Sequence, residues 1–273
     1  MQAPFISVWM YIDPNDDQQT QSNTALLIEE MLKQRIEGMK SPDGKTINPT
    51  FPKLLYGLDE NNIKEDSPYY YLTELAAKCT AQRMVPDYIS VKKMKGIKNG
   101  GIFPPMGCRS MLTPYKDENN EFKAWGRLNM GVISLNIPYV ALESKTQEEF
   151  FEKLTKYATI ICEEQLKFCE RICNSPTARA PMLWNYGAIS RLPKDAKIGD
   201  LLKTHKGYAT VSLGYTGIAE ATYRFGIEYV SEDGHKFAEK ILKTLAKVTD
   251  KYKQNSPFDF SLYGTPQQLG AFI

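Results

Sequence analysis

Cys108 is the residue of this sequence whose surroundings most strongly suggest chemistry. It lies in the segment GIFPPMGCRSML (residues 101–112), where two consecutive prolines stiffen the chain just before the cysteine. A core cysteine usually lies on a helix or strand as a small apolar residue, so we expect this loop to display its thiol instead. Arg109 beside it would lower the pKa of the thiol and favour a thiolate nucleophile. A surface cysteine without a function is the alternative.

The usual partners of a catalytic thiol or hydroxyl are scarce. The chain has two histidines, His205 and His235, and neither lies near a serine or cysteine in a recognisable nucleophile motif. A catalytic triad of residues that are distant in the sequence is not excluded, because such residues can meet in the folded protein. Cys169 and Cys173 lie one helical turn apart, which suits a metal, but no histidine accompanies them. Core packing is the favoured interpretation, and no metal site is predicted.

A second candidate site lies in SLGYTGIAE, where Gly214 and Gly217 fall between a predicted strand and a predicted helix. Backbone N–H groups at such a turn, together with the start of the helix, can bind an anion. A tight turn without a ligand explains the two glycines equally well. No P-loop lysine pattern and no H-E-x-x-H motif occur in the sequence.

Composition limits the classes of protein to which the chain can belong. Of its 273 residues, 42% are hydrophobic and 24% charged, and the net charge of +2 gives no field that would steer it to nucleic acid or a membrane surface. The basic run VKKMKGIKNG (91–100) is interpreted as a solvated loop. No secretory signal and no apolar run of membrane-spanning length is visible. Five cysteines without a C-x-x-C pair favour reduced thiols and a cytoplasmic location.

Helical and strand-like segments alternate along the chain, which predicts an α/β fold. No linker divides the sequence, so we expect one domain over residues 1–273. The predicted strands are 4–12, 51–58, 86–91, 131–142, the start of 206–226, and 257–266. The predicted helices are 24–39, 67–84, 146–173, the end of 206–226, and 234–252.

Two of these helices carry start signals. Ser67 and Pro68 fit the N-cap and first position of helix 67–84, and Thr146 with Glu149 fits a capping box at the start of helix 146–173. The apolar faces of these helices contain all the remaining cysteines. We therefore predict buried positions for Cys79, Cys162, Cys169 and Cys173.

Several blocks of the sequence together resemble a known family, the anaerobic (class III) ribonucleoside-triphosphate reductases. The resemblance runs from Gln2 to about Pro266 and rests on the order and spacing of PFISVWMYI, YYYLTELAAKCTAQRMVPDYIS, MGCRSML, WGRLNMGVISLNIPYVAL, APMLWNYGAISRL, YATVSLGYTGIAE and FSLYGTP. These are glycyl-radical enzymes built on a ten-stranded α/β barrel. The resemblance implies that the chain is part of such a barrel, incomplete at both ends.

The same resemblance gives the cysteine loop a function. In this family a loop threads the barrel and carries a cysteine at its tip, which the MGCRS motif places at Cys108. The cysteine acts as a thiyl radical that abstracts hydrogen from C3′ of a ribonucleoside triphosphate, and formate is the reductant in most members. A histidine base would not be needed, because a hydrogen atom moves rather than a proton.

Further residues are implied as substrate contacts. Asn129 follows Cys108 by 21 residues, in the GRLN block where the family places a substrate-binding asparagine; a strand-start cap is the alternative. The SLGYTG and YGTP blocks match loops near the substrate phosphates, so Gly214, Gly217 and Thr265 are the other binding candidates.

The resemblance also implies groups that we expect to lie outside these 273 residues. They are the regulatory ATP-cone, the first part of the barrel, the glycine that carries the radical, and a four-cysteine zinc site. A radical-SAM enzyme with an iron–sulfur cluster and S-adenosylmethionine would activate the protein. We expect a homodimer of the complete enzyme and a complementing chain as partners, but neither nucleic acid nor a membrane. A catalytically inactive truncated product or interaction fragment is the alternative function.

Overall fold

The computed structural model describes residues 6–49, 51–97, 101–106, 112 and 114–265. The chain divides into two units, Met1–Met111 and Leu112–Ile273. Each unit contains a three-stranded sheet whose strands all run parallel. Parallel strands need crossover connections, and helices supply them here. The predicted α/β class is therefore confirmed, whereas one domain over residues 1–273 stays a prediction.

The sheet of the first unit has the strand order β1–β4–β5. Its apolar core lies between this sheet and helices α1 and α2, and it includes Met10, Leu32, Tyr56, Leu72 and Cys79. The elements are β1 Ser7–Met10, α1 Gln18–Glu37, β2 Met39–Lys40, β3 Thr46–Ile47, β4 Lys53–Leu58, α2 Tyr70–Arg83, β5 Asp87–Ser90 and α3 Val91–Ile97.

Three predictions for this unit are wrong in detail. Helix α1 begins at Gln18 rather than Thr24, because the Asp17 side chain caps it by accepting from the backbone N–H of Thr20. Helix α2 begins at Tyr70, since the Ser67 hydroxyl donates to the carbonyl oxygen of Glu60 instead of capping it. The basic run after β5 starts as the helix Val91–Ile97 rather than as a loop.

A buried carboxylate lies just after β4. The Asp59 side chain is 5% exposed, and its Oδ2 accepts from the Tyr11 hydroxyl at 2.9 Å and from Lys95 Nζ at 3.1 Å. Oδ1 accepts from the backbone N–H of Glu60. Burial alone raises the pKa of Asp59, but these hydrogen bonds outweigh it and hold the pKa below its usual value of 3.8. Burial, and after it the hydrogen bond to Asp59, raises the pKa of the Tyr11 hydroxyl.

The depressed pKa predicts how stability depends on pH. We expect Asp59→Asn to lower the free energy of unfolding at pH 7 by about 2 kcal/mol, the scale of hydrogen bonds to a charged group. Because the folded pKa lies below the unfolded one, this contribution is complete above about pH 4 and is lost as pH falls through the folded value. Urea unfolding of both proteins between pH 3 and 8 should show the difference shrinking only at the acid end. The exposed Asp66→Asn is the control, and an equal difference at every pH would contradict the prediction.

The sheet of the second unit has the strand order β10–β9–β8. Helices α5 and α9 pack on one face of it, where Phe150, Leu154, Val211, Leu213 and Leu245 are part of a large core. The elements are β6 Tyr115–Lys116, β7 Phe122–Lys123, β8 Leu128–Asn136, α4 Ile137–Leu142, α5 Gln147–Cys173, the 3-10 turn Thr177–Arg179, α6 Pro181–Trp184, α7 Gly199–Leu202, β9 Ala209–Thr216, α8 Ile218–Arg224, α9 Glu232–Asn255 and β10 Asp259–Gly264.

The second unit follows the sequence pattern closely, with differences at α9 and in the segment predicted as strand 131–142. Helix α9 begins at Glu232 rather than Gly234, because the Ser231 hydroxyl caps it by accepting from the backbone N–H of Gly234. The Thr146 hydroxyl caps α5 by accepting from the backbone N–H of Glu149, as predicted. The segment predicted as strand 131–142 contains strand only up to Asn136, whose side chain caps helix α4 by accepting from the N–H of Tyr139. Pro138 in the first turn of α4 needs no hydrogen-bond donor there, so it helps to end the strand and start the helix.

The four cysteines on helices are core residues. Cys79, Cys162, Cys169 and Cys173 are each at most 2% exposed and unpaired, as predicted. Burial raises the pKa of all four thiols, to about 12 for Cys162 and Cys169.

Among the described helices, none is both long and apolar enough to cross a membrane.

Candidate active site

The face of sheet β8–β9–β10 that points away from α5 and α9 carries small polar residues. Successive residues of β9 point to opposite faces of the sheet. Ala209, Val211 and Leu213 belong to the core that the helices cover. The residues that alternate with them therefore point to the other face, and these are Thr210, Ser212 and Gly214. The register places Asn129 of β8 opposite Thr210 and Ser134 opposite Gly214. We call this side of the sheet the polar face, and define it by Asn129, Ser134, Thr210, Ser212, Gly214 and Thr265. The three residues of β9 in this set are buried.

Asn129 lies at the start of β8 and uses both ends of its side-chain amide. Its Nδ2 donates to Ser212 Oγ on the neighbouring strand at 2.9 Å, and its Oδ1 accepts from the backbone N–H of Gly131 at 2.9 Å. The second bond stabilises a bulge in β8, where Gly131 has a φ of +144°. The side chain is half-buried, and its amide has no further partner among the described residues, which leaves one N–H and one lone pair for a ligand. Asn129 is therefore held rigidly, with its polar atoms presented on the polar face.

Gly214 makes possible a contact between the two strands that flank β9. The Ser134 and Thr265 hydroxyls lie 2.6 Å apart, although they belong to β8 and to the residue after β10. A Cβ on Gly214 would lie 2.4 Å from Ser134 Oγ and 2.7 Å from Thr265 Oγ1. Because Gly214 has no side chain, the two hydroxyls meet above its α-carbon. We call this pair the hydroxyl bridge.

Gly217 follows β9 and forms the turn into α8. Its φ of +83° lies in the left-handed region that favours glycine, and a Cβ would lie 2.3 Å from two carbons of the Pro138 ring. The turn therefore needs glycine both for its backbone conformation and for the approach of α4. Gly217 and Thr265 both follow the carboxyl ends of parallel strands, where α/β folds place their ligands.

The structure brings together part of the predicted site. Gly214 and Thr265 meet at the hydroxyl bridge, and Gly217 lies three residues beyond Gly214 at the same edge. Asn129 is at the opposite end of the polar face, about 13 Å away along β9 for the four residues from Thr210 to Gly214. Cys108 lies outside the described residues.

Sequence reasoning missed Ser134 and Ser212. Each contacts a predicted residue directly, Ser134 through Thr265 and Ser212 through Asn129. A signal for Ser212 was present, because hydroxyl or glycine residues alternate with apolar ones along 209–216, which indicates a strand with one apolar and one polar face. The pairing of Ser134 with Thr265 has no local signal, since the two residues are 131 positions apart.

Gln165 supports the polar face from the core side. Its Nε2 donates to the carbonyl oxygen of Ser212 at 2.7 Å, at the level of the bulge in β8.

The described residues include no group of three or more histidine, cysteine, aspartate or glutamate side chains arranged to hold a metal ion. The groups of the polar face that a ligand can reach are the Asn129 amide and the Ser134 and Thr265 hydroxyls. All three are neutral hydrogen-bonding groups, which suit a ligand rich in hydroxyl and phosphate oxygens.

A family model described as anaerobic ribonucleoside-triphosphate reductase matches residues 1–268 of the chain. The chain belongs to this family. The match includes the MGCRS and GRLN blocks and the loops that carry Gly214, Gly217 and Thr265, so the predicted resemblance is confirmed.

Individual reductases show the same relationship. The chain is 33% identical over 254 residues to the anaerobic ribonucleoside-triphosphate reductase of Haemophilus influenzae, covering 91% of this chain and 35% of that protein. It is 35% identical over 255 residues to the Escherichia coli protein, again covering 91% and 35%. For the enzyme of Enterobacteria phage T4 the identity is 35% over 248 residues, covering 87% and 38%. The chain thus spans about a third of the length of these curated relatives.

Solved structures support the fold assignment. The anaerobic ribonucleotide reductase from Thermotoga maritima with citrate in its active site superimposes with a TM-score of 0.58 at 14% identity, covering 99% of this chain and 48% of that one. The form with dATP in its specificity site gives 0.58 at 16%, covering 96% and 42%. These likenesses concern the fold alone, and they confirm the predicted partial α/β barrel architecture of this reductase type.

Proposed function

We propose that the chain provides the substrate-reducing part of an anaerobic ribonucleoside-triphosphate reductase, an oxidoreductase that converts ribonucleotides to deoxyribonucleotides for DNA synthesis. The observation that carries this proposal is the family match over residues 1–268, because it includes the block around Cys108 and every loop of the polar face. The polar face supports it through neutral amide and hydroxyl groups suited to a ribose and its phosphates.

In the proposed reaction Cys108 is the catalytic residue. A thiyl radical at its Sγ takes the hydrogen atom from C3′, which forms the S–H bond and leaves the unpaired electron on C3′. The 2′-hydroxyl then departs as water after taking up a proton. Formate supplies two electrons and its hydrogen, in net terms a hydride that replaces the hydroxyl at C2′, and leaves as carbon dioxide. The hydrogen atom held at Sγ then returns to C3′. Substrate, formate and a proton thus give deoxyribonucleotide, carbon dioxide and water.

The described residues would bind and orient the substrate. Asn129 would donate to a ribose hydroxyl through the second N–H of Nδ2, or accept from it through the second lone pair of Oδ1. Ser212 and Gly131 use the other N–H and the other lone pair. The hydroxyl bridge and the Gly217 turn would contact the phosphates at the carboxyl edge of the sheet. Held geometry of this kind is a large source of rate enhancement, because the reacting atoms need not be brought together from solution.

The proposal includes partners and groups that the family resemblance implies. A glycyl radical would supply the unpaired electron to Cys108, and a radical-SAM enzyme with an iron–sulfur cluster and S-adenosylmethionine would generate it. Zinc would belong to the complete enzyme only. The complete enzyme would be a homodimer, with a complementing chain that carries the radical glycine as a further proposed partner.

The test varies the source of the radical. The chain is incubated without oxygen with CTP, formate, S-adenosylmethionine, the activating enzyme and a separately expressed segment of the Escherichia coli relative that precedes the matched region. The C-terminal segment of that relative, which carries the radical glycine, is added or left out. We expect dCTP only when that segment is present, and none in the absence of formate. Binding of the segment without dCTP under any of these conditions would favour a non-catalytic interaction fragment instead.

Asn129→Ala tests the binding role separately from turnover. It removes both amide contacts, and we expect the dissociation constant for CTP to rise about 5-fold, since one well-placed hydrogen bond contributes about 1 kcal/mol. Equilibrium dialysis with labelled CTP measures the change. Asn119→Ala, at an exposed position of the β6–β7 hairpin, is the matched control. Equal affinity of both variants and the wild type would remove Asn129 from the proposed site.

A further inference from the structure

We infer that Arg127 is a positioning residue for Cys108, acting through the segment of chain that follows the cysteine loop. The inference rests on the proposed function of Cys108. Arg127 lies at the junction between the end of the β6–β7 hairpin and the start of β8, two residues before Asn129. Its side chain contacts the chain on both sides of that hairpin.

The Arg127 guanidinium donates two hydrogen bonds to backbone oxygens. Nη1 donates to the carbonyl of Leu112, and Nε donates to the carbonyl of Ala124 at 2.7 Å. Burial lowers the pKa of Arg127 to about 10, so the group stays cationic at neutral pH and its hydrogen bonds are charge-assisted. We call this arrangement the stem clamp, and define it by Arg127, Leu112 and Ala124.

A second set of contacts holds the segment that follows Leu112. Leu112 is 7% exposed, and three residues later the ring of Tyr115 stacks with two other rings. The Tyr115 centroid is 4.5 Å from that of Tyr208 with an interplanar angle of 24°, and 5.4 Å from that of His205 with an angle of 20°. The chain that leaves the cysteine loop is therefore fixed by the stem clamp at Leu112 and by aromatic stacking at Tyr115.

The clamp also fixes this segment relative to the sheet that carries the proposed substrate contacts. Immediately after Arg127, the backbone N–H of Leu128 donates to the carbonyl of Tyr208 at 3.1 Å, and Asn129 bonds to Ser212. Leu112 follows Cys108 by four residues, a length of chain that spans roughly 14 Å at most. The stem clamp thus fixes Leu112, four residues after Cys108 in the sequence, against the sheet that carries Asn129.

Arginine suits this position better than lysine. A guanidinium presents several N–H donors in one rigid plane and can bind two carbonyls at once, whereas an ammonium group is a compact donor on a flexible chain. Arg127→Lys should therefore keep the charge and one contact but lose the fixed geometry. Arg127→Gln should lose the charge and both contacts. The two variants form a graded series.

The first test needs no turnover, so it is independent of the proposed function. Under native conditions we expect trypsin to cleave after Arg109 about 10-fold faster in Arg127→Gln than in the wild type, and to an intermediate degree in Arg127→Lys, because local opening controls cleavage. The exposed Arg171→Gln is the control for loss of one positive charge. Mass spectrometry of the early fragments separates cleavage after Arg109 from cleavage elsewhere.

The results that overturn the inference are specific. Wild-type cleavage rates after Arg109 in both variants would do so, as would an equal acceleration at all tryptic sites, which would make Arg127 a determinant of overall stability. If Arg127→Gln does not fold by circular dichroism, Arg127→Lys alone decides. In a preparation that turns over, kcat of Arg127→Gln should fall about 10²-fold with the KM for CTP within 2-fold, and a changed KM with an unchanged kcat would also overturn the inference.

Discussion

Replacing Cys108 by serine is expected to abolish nucleotide reduction in any preparation of this protein that turns over. An O–H bond is much stronger than an S–H bond, so a serine at this position cannot yield the radical that abstracts hydrogen from C3′. We expect dCTP formation to fall by about 10⁴-fold or more, the scale on which removal of a reacting group acts. The glycyl radical should still form, and electron paramagnetic resonance would detect it. Retained turnover in Cys108→Ser would contradict the proposed function.

The other thiols provide a sharp control. Cys79, fully buried in the core of the first unit with a raised pKa, should tolerate replacement by alanine with turnover retained. The four helical cysteines are shielded, so iodoacetamide at pH 8 should label them only after unfolding. Cys108, which the sequence predicts to be displayed on its loop, should be labelled rapidly. In Cys108→Ser the rapid phase should disappear. Rapid labelling of a second cysteine would contradict this expectation.

Replacing Gly214 by alanine is expected to disturb the site and the fold together. The added methyl group would lie 2.4 Å from Ser134 Oγ, 2.7 Å from Thr265 Oγ1 and 2.8 Å from Val132 Cγ1, so the hydroxyl bridge must separate. Such overpacking costs about 1–3 kcal/mol, which corresponds to a fall in Tm of roughly 2–12 °C for a chain of this size. Calorimetry would measure the stability, and dialysis with CTP the proposed phosphate contact.

A second substitution distinguishes steric overlap from other causes. Ser134→Gly in the Gly214→Ala background removes the closest clash, so it should restore part of the lost stability, whereas Ser134→Gly alone should destabilise. Gly96→Ala is the matched control, because a Cβ there meets nothing within 4 Å and alanine favours the helix. Additive effects of the Ser134 and Gly214 substitutions would show that the hydroxyl bridge is not the cause.

Much of the local structure could be predicted because its causes are local. Helix α5 follows from the cap at Thr146 and a regular apolar stripe, and the β9–α8 turn follows from Gly217. The misplaced helix starts have a common reason. Asp17 and Ser67 both have side chains able to cap a helix, and only the surrounding chain decides which of them does so.

The sequence by itself determined the family, the α/β class and the identity of the residues with chemical potential, because these depend on composition, on order and on periods of two or 3.6 residues. Only the tertiary structure decided which of those residues meet. Asn129 bonds to Ser212, 83 positions away, and Ser134 to Thr265, 131 positions away. Alternation along a strand shows which side chains share a face, but the partner strand and its register depend on packing across the whole sheet. For the same reason the contact of Arg127 with Leu112 became visible only in the folded chain.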